Sequence, residues 1–185
     1  MEWQIPGTVL KIPREDAGRI QEIFSTMFLA GGLVLSQVSE ITGLEPHTVQ
    51  NWVKRGFLTP PERKRYSLRQ LCRILNINAF KGILPMERIC GMLSYVNGKL
   101  DDYSDDIIDD SKLYFMFAGL AARIRELSDE TAYENSMKAV LEEYNETVAG
   151  NRERVEKVLR VMLTAYASAR MQQRAEIMLT DLERS

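Results

Sequence analysis

The chain has 185 residues, 45% of them apolar and 27% charged, enough to bury a real core and too ordered in composition for a disordered segment. A formal net charge of -2 argues against a general nucleic-acid binder, but the charge is uneven. Between Ser36 and Leu100 there are ten Lys/Arg against four Asp/Glu, and the remainder carries 14 against 22. A basic block beside an acidic one suits a DNA reader joined to a module that avoids DNA.

Taken in chain order, residues 1 to 12 hold Trp3, the Pro6-Gly7 pair and then Val9, Leu10 and Ile12, the composition of an extended arm. Pro13 opens a helix reaching about Ala30, with Ile20, Ile23, Phe24, Met27 and Phe28 on its apolar side, and Gly31 and Gly32 end it. This arm and helix are expected to pack on the next segment of the chain or on a partner subunit. The run FLAGGLVL is too short to cross a bilayer, and no signal peptide is visible, so a cytoplasmic protein is expected.

The segment from Leu35 to Leu58 reads as two short helices around a tight turn. Ser36 is an N-cap candidate, Val38, Ile41 and Thr42 share one face, and Gly43 can take the left-handed conformation that ends a helix. Pro46 suits the first position of the next helix, Val49, Trp52 and Val53 form its apolar face, and Gly56 stops it. The polar face carries His47, Thr48, Gln50, Asn51, Lys54 and Arg55. Such a pair is a helix-turn-helix, whose second helix can enter the major groove of double-stranded DNA.

Residues near the start of that helix approach base edges, which makes His47, Thr48, Gln50 and Asn51 candidates for readout, with Gln50 or Asn51 able to pair bidentately with adenine. Lys54 and Arg55 lie nearer the phosphates, and Ser36 and Gln37 of the first helix join the candidate DNA-binding set. Pro60 and Pro61 hold the chain extended and present Arg63, Lys64 and Arg65 together, a flat basic edge suited to phosphate contact. Ser67 caps a helix whose Leu71, Ile74, Leu75 and Phe80 face inward, with Arg69 and Arg73 on one side; Arg69 is the last candidate DNA contact. Pro85 starts a further helix that Gly98 ends.

From Asp101 to Asp110, six aspartates form the string DDYSDDIIDD, which lacks the alternating donors and central glycine of a calcium loop and reads as a solvated acidic hinge. The segment from Leu113 to Ala122 is apolar almost all round, so its helix must be buried on every side. It serves equally as core or as the wall of a small-molecule effector pocket. Ser128 caps the next helix, expected to run to Gly150 with Met137, Val140, Leu141 and Tyr144 as its stripe. Asn151 caps a long final helix on which Val155, Leu159, Met162, Tyr166 and Ala169 form a seam for another helix, from this monomer or a second copy.

The run VSEITG, EPHTVQNWVKRGFL, PPERKRYS, LRQLCRILNINAFK and LPMERICGMLSYV resembles the DNA-binding half of MerR-type winged helix-turn-helix regulators. The ending Trp52-Val53-Lys54-Arg55-Gly56 also resembles excisionase-type domains, and the whole chain is similar to an uncharacterised bacterial family of small MerR-like proteins. The chain differs from MerR regulators in carrying Gln50, Asn51 and Trp52 where they have Arg-Tyr-Tyr, and in a wing without glycine. The resemblance implies a homodimeric, sequence-specific transcription regulator.

The expected fold is all-α: an arm and helix over residues 1–34, a helix-turn-helix head with minimal strand at the wing over 35–100, and a C-terminal helical dimerisation or effector bundle over 101–185. No catalytic constellation, P-loop, dinucleotide fingerprint or metal motif occurs, so neither an enzyme nor a cofactor is expected. Cys72 and Cys90 lack paired zinc spacing and read as buried thiols. The alternative function is a protein-interaction adaptor that keeps the helix-turn-helix scaffold without binding DNA.

Overall fold

Trp3 and Ile5 alternate inward in the first residues, and the chain folds back on itself there: β1 (Glu2–Gln4) and β2 (Lys11–Pro13) pair antiparallel with Trp3 opposite Ile12. The computed structural model describes residues 2–124, 129–146 and 148–184. Strands were expected only at the wing; the two-stranded sheet instead lies in the N-terminal arm, because its inward side chains have a helical core to cover. Gly7, at φ 73°, sits so close to that core that a Cβ would stand 2.2 Å from the Leu75 carbonyl oxygen. Asn78 donates to the Gly7 carbonyl at 2.8 Å and Tyr114 Oη donates to that of Pro6 at 2.8 Å.

A single 3-10 stretch, Arg14–Arg19, leads into α1 (Ile20–Met27), which buries Ile20 and Phe24. The head continues as α2 (Leu35–Thr42), α3 (Pro46–Lys54), α4 (Leu68–Phe80) and α5 (Met86–Asn97). Beyond a 3-10 turn at Tyr103–Asp105 come α6 (Asp110–Arg123), α7 (Glu130–Glu142) and α8 (Asn151–Glu183). The all-α expectation holds, with eight α-helices among the described residues.

Helix α6 is the centre, as its all-round apolar sequence requires: it packs against α1, α4, α7 and α8 and buries Leu113, Tyr114, Met116, Phe117, Leu120 and Ala121. Phe24, Tyr114 and Phe115 meet edge to face, and Phe117 meets Phe80 on one side and Tyr166 on the other. The seam expected on α8 is therefore taken up within the monomer, with Val155, Leu159 and Met162 fully buried. Among the described residues no helix is long and apolar enough to cross a membrane.

Several helix ends differ from expectation. α2 starts two residues early, with Val34 rather than Ser36 in the cap position; Ser36 lies in the first turn, and Gln37 Oε1 accepts from the Val34 N–H at 3.0 Å. α7 is capped by Asp129, which accepts from the Ala132 N–H, and ends at Glu142, where Tyr144 turns inward to donate to the Ile107 carbonyl. The expected cap Ser128 lies outside the described residues. Gly150, at φ 89°, takes the cap position of α8, and Glu146 accepts from the Arg152 N–H, so Asn151 is the first helical residue rather than the cap.

Candidate nucleic-acid interface

Three local signals build the helix-turn-helix as the sequence implies. Gly43 closes α2 at φ 71°, Pro46 is the first residue of α3, and Gly56 leaves α3 at φ 74°. Val38, Ile41, Val49 and Trp52 are buried, so both helices turn their apolar faces inward. The opposite face of α3 is open: His47, Gln50, Asn51, Lys54 and Arg55 are exposed and Thr48 is partly so. His47, Gln50 or Asn51, and Lys54 fall three and four residues apart and make one stripe.

The wing is present, and small. Glu62 and Arg65 bridge across a two-residue turn, with the Arg65 N–H donating to the Glu62 carbonyl at 2.8 Å. Arg63 and Lys64 occupy the turn at φ 47° and 64°. Mirror-image turns of this kind ordinarily take glycine or asparagine at such positions, and a larger side chain costs about 1 to 2 kcal/mol in the left-handed region. The expected flat edge is thus a tight tip carrying two cations under backbone strain.

The tip is fastened behind. Tyr66 and Leu33 exchange backbone hydrogen bonds of 2.7 and 2.9 Å, and Arg65 donates to the Gly32 carbonyl at 2.7 Å. A Cβ on Gly32 would lie 2.7 Å from the Tyr66 oxygen, so only glycine allows this approach. Arg65 serves here as a splint for the wing.

Between α3, the first turn of α2 and the wing lies a groove of about 560 Å³, bordered by Leu35, Ser36, Gln50, Val53, Lys64 and Tyr66. Ser36, Gln50 and Lys64, from three separate segments, therefore meet at one place. Its walls are largely apolar, with Pro61 and Val34 completing them. The leading amides of α2 have no partners within the helix, which gives that end a partial positive charge. Gln37 is exposed beside it, its side-chain oxygen committed to the Val34 amide.

Arg55 and Arg69 stand apart from the rest of the candidate set. Arg55 pairs with Glu87 at 3.2 Å, both half or more exposed, and stacks on Phe57 with its guanidinium 4.6 Å from the ring centroid. Arg69 is partly buried and turned toward the acidic segment: it pairs with Asp106, reaches Asp110 at 3.8 Å and stacks on Tyr103 at 3.9 Å. Arg69 is among the expected DNA contacts; here its guanidinium is committed to Asp106 and Tyr103.

The segment DDYSDDIIDD is the expected solvated stretch only in its first half: Asp101, Asp102 and Asp105 are exposed, while Asp106, Asp109 and Asp110 are drawn in. Asp110 is 3% exposed and accepts from Arg73 at 3.3 Å, while Arg73 Nε donates to the Phe57 carbonyl at 2.9 Å. Burial pushes the carboxyls of Asp110 and Asp106 above the usual carboxylate range, opposed by the neighbouring guanidiniums. Asp109 is held below that range: burial raises it, but hydrogen bonds from Ser111 and Lys112 outweigh that. A continuous polar strut thus joins the first turn of α6, the middle of α4 and the exit of α3. Nothing in the local sequence signals it, since the partners lie 37 residues apart.

The thiols Cys72 and Cys90 are free, with Cys72 buried and Cys90 half-buried, and burial raises both. Neither borders the groove.

Residues 28–117 match the family model for DUF1836, a domain of unknown function. The matched segment starts at the end of α1 and reaches well into α6, so it contains the groove, the wing and the Arg73–Asp110 strut together. Over 116 residues the chain is 28% identical to the uncharacterized protein YkrK of Bacillus subtilis (strain 168). That similarity covers 60% of this chain and 50% of YkrK, so the chain spans about half the length of this curated relative. No solved structure matches the chain.

Proposed function

We propose that the chain is a sequence-specific DNA-binding transcription regulator that acts as a homodimer, with α3 as its reading helix. The observation that carries the reading is the open polar face of α3, sharing one groove with the first turn of α2 and a cation-tipped wing. The resemblance of Leu35 to Asn97 to MerR-type regulators supports it. In this reading His47, Thr48, Gln50 and Asn51 face base edges, with Asn51 or Gln50 pairing an adenine. Lys54, Arg55, Arg63, Lys64 and the first turn of α2 meet phosphates. Arg65 braces the wing and Arg69 stays inside.

Arg63 and Lys64 support the reading in a second way. A strained turn tip filled with cations, where glycine would cost less, is accounted for if the charges have work at the surface. The adaptor reading draws its own support from the apolar walls of the groove, which suit a protein partner as well as a sugar-phosphate backbone.

Binding to labelled genomic duplexes, including the gene's own promoter, at low and rising salt separates the two. The regulator reading expects a preferred site on which Asn51→Ala costs about 1 to 3 kcal/mol, with non-preferred sites little affected. Absence of any DNA binding at low salt sinks it and leaves the adaptor reading.

A further inference from the structure

A surface that holds only phosphates has no use for apolar walls, yet the groove between α2, α3 and the wing is walled by Val34, Leu35, Val53 and Pro61, all partly exposed. Ser36, Gln50 and Lys64 stand around them. On a helix turning about 100° per residue, Val53 lies ~60° from Gln50 and Asn51 lies ~100° from it in the opposite sense. Gln50 is thus the candidate reader that borders the groove, and Asn51 stands on the far side of α3.

Val53 differs from the rest of its face. Val49 and Trp52 are buried, whereas Val53 keeps part of its surface open beside Gln50. An apolar side chain left open next to a reading amide matches the apolar group that the major groove itself presents, the C5-methyl of thymine.

We infer that this groove is a thymine subsite: the DNA strand nearest the wing enters it, the C5-methyl of one thymine packs on Val53 and Leu35, and Gln50 pairs with an adenine in the same base pair or the next. The assignment rests on the regulator reading. Charge and spacing select a DNA strand as the occupant over a protein segment. Among the described residues that border the groove, Lys64 is the only charged one, and Arg63 precedes it in the same turn, so the rim is cationic and suits an anionic backbone. Side chains at i and i+3 of a helix stand roughly 5–6 Å apart, and successive bases of one strand about 3.4 Å apart. Gln50 and Val53 therefore reach neighbouring positions of a duplex. The volume of about 560 Å³ leaves room for the deoxyribose behind the methyl.

Selection from a random duplex library with the full chain at low salt supplies the probe. Deoxyuridine then replaces thymine in the enriched duplex one position at a time, removing the methyl and nothing else. At one thymine of each half-site the wild-type chain should lose about fourfold in affinity, as for uncovering one buried methyl. Adenine N7 within one base pair of that thymine should matter too: 7-deazaadenine there should weaken the wild-type chain and not Gln50→Ala. Val53→Ala should bring the thymine-to-uracil affinity ratio close to one. The ratio is taken within each variant, so any loss of folded protein cancels. Asn51→Ala should weaken binding and keep the ratio. Equal affinity for thymine and uracil at every position, a ratio that Val53→Ala leaves intact, or Gln50 sensitivity confined to a distant adenine overturns the subsite while DNA binding stands, and returns the apolar walls to a protein partner. Failure to enrich any duplex removes the regulator reading itself, and the subsite with it.

Discussion

Two groups of cations, Arg63 with Lys64 and Arg69 with Arg73, follow one another closely in the chain and have opposite fates. Arg63 and Lys64 stand at the tip of a strained turn in solvent, whereas Arg69 and Arg73 lie on α4 beneath a strap of aspartates. Both groups contribute equally to the basic balance of the head, yet only the first stands exposed, while the second is paired with carboxylates. A charge total for a segment thus overstates the field a nucleic acid would meet, because part of it is neutralised from 37 residues away.

The comparison breaks most visibly at Arg73. Arg73→Ala leaves Asp110 buried without its closest partner and frees the Phe57 carbonyl, and should lower unfolding free energy by about 3 to 5 kcal/mol in urea titration. Replacing both members of the pair with apolar residues of similar size should cost far less, which a double-mutant cycle reads directly. Equal losses in the single and double variants would mean that the pair is not a unit.

Arg69 tests whether inner cations reach DNA. Arg69→Ala should reduce stability by roughly 1 to 3 kcal/mol, since Asp106 loses its charged donor in a mostly buried place. The slope of log affinity against log salt should not change, whereas alanine at Arg63 and Lys64 together should reduce it by about two. A smaller slope for Arg69→Ala would place that residue back among the contacts.

Lys64→Gly is the smallest and the most discriminating change. Removing the side chain from a position at φ 64° should raise stability by up to about 1 kcal/mol while weakening DNA association on every sequence. Stability and binding move in opposite directions only if the cation is kept for its contacts; a parallel loss of both would mean the side chain supports the wing.

The parts of this arrangement that could be read from sequence are those whose cause is local. Gly43, Pro46 and Gly56 each fix a backbone conformation by themselves, and Ser67 with Gln70 closes a reciprocal cap at the start of α4, so the helix-turn-helix and its sequel are legible. The central place of α6 followed from an apolar surface that has nowhere else to go. The features that escaped are those set by distant partners. Asp106 and Asp110 look solvated until Arg69 and Arg73 come within reach, and β1 is a strand only because α4 and α6 offer it a floor. On α8 the seam of Val155, Leu159 and Met162 was legible, but that its partner is α6 of the same chain was not. The candidate contacts on α3 were legible as an exposed face, while the withdrawal of Arg69 and the splinting by Arg65 were not.

The notch at Gly7 bears on how the molecule is made. The β1–β2 hairpin leaves the ribosome ahead of its docking places, the Leu75 carbonyl on α4 and Tyr114 on α6, which follow it in the chain. Until then Trp3 and Ile5 have no cover, and contacts spanning more than a hundred residues close last. The arm therefore emerges before the surfaces that hold it and is among the last segments to settle, latching the head onto the helical half once both exist.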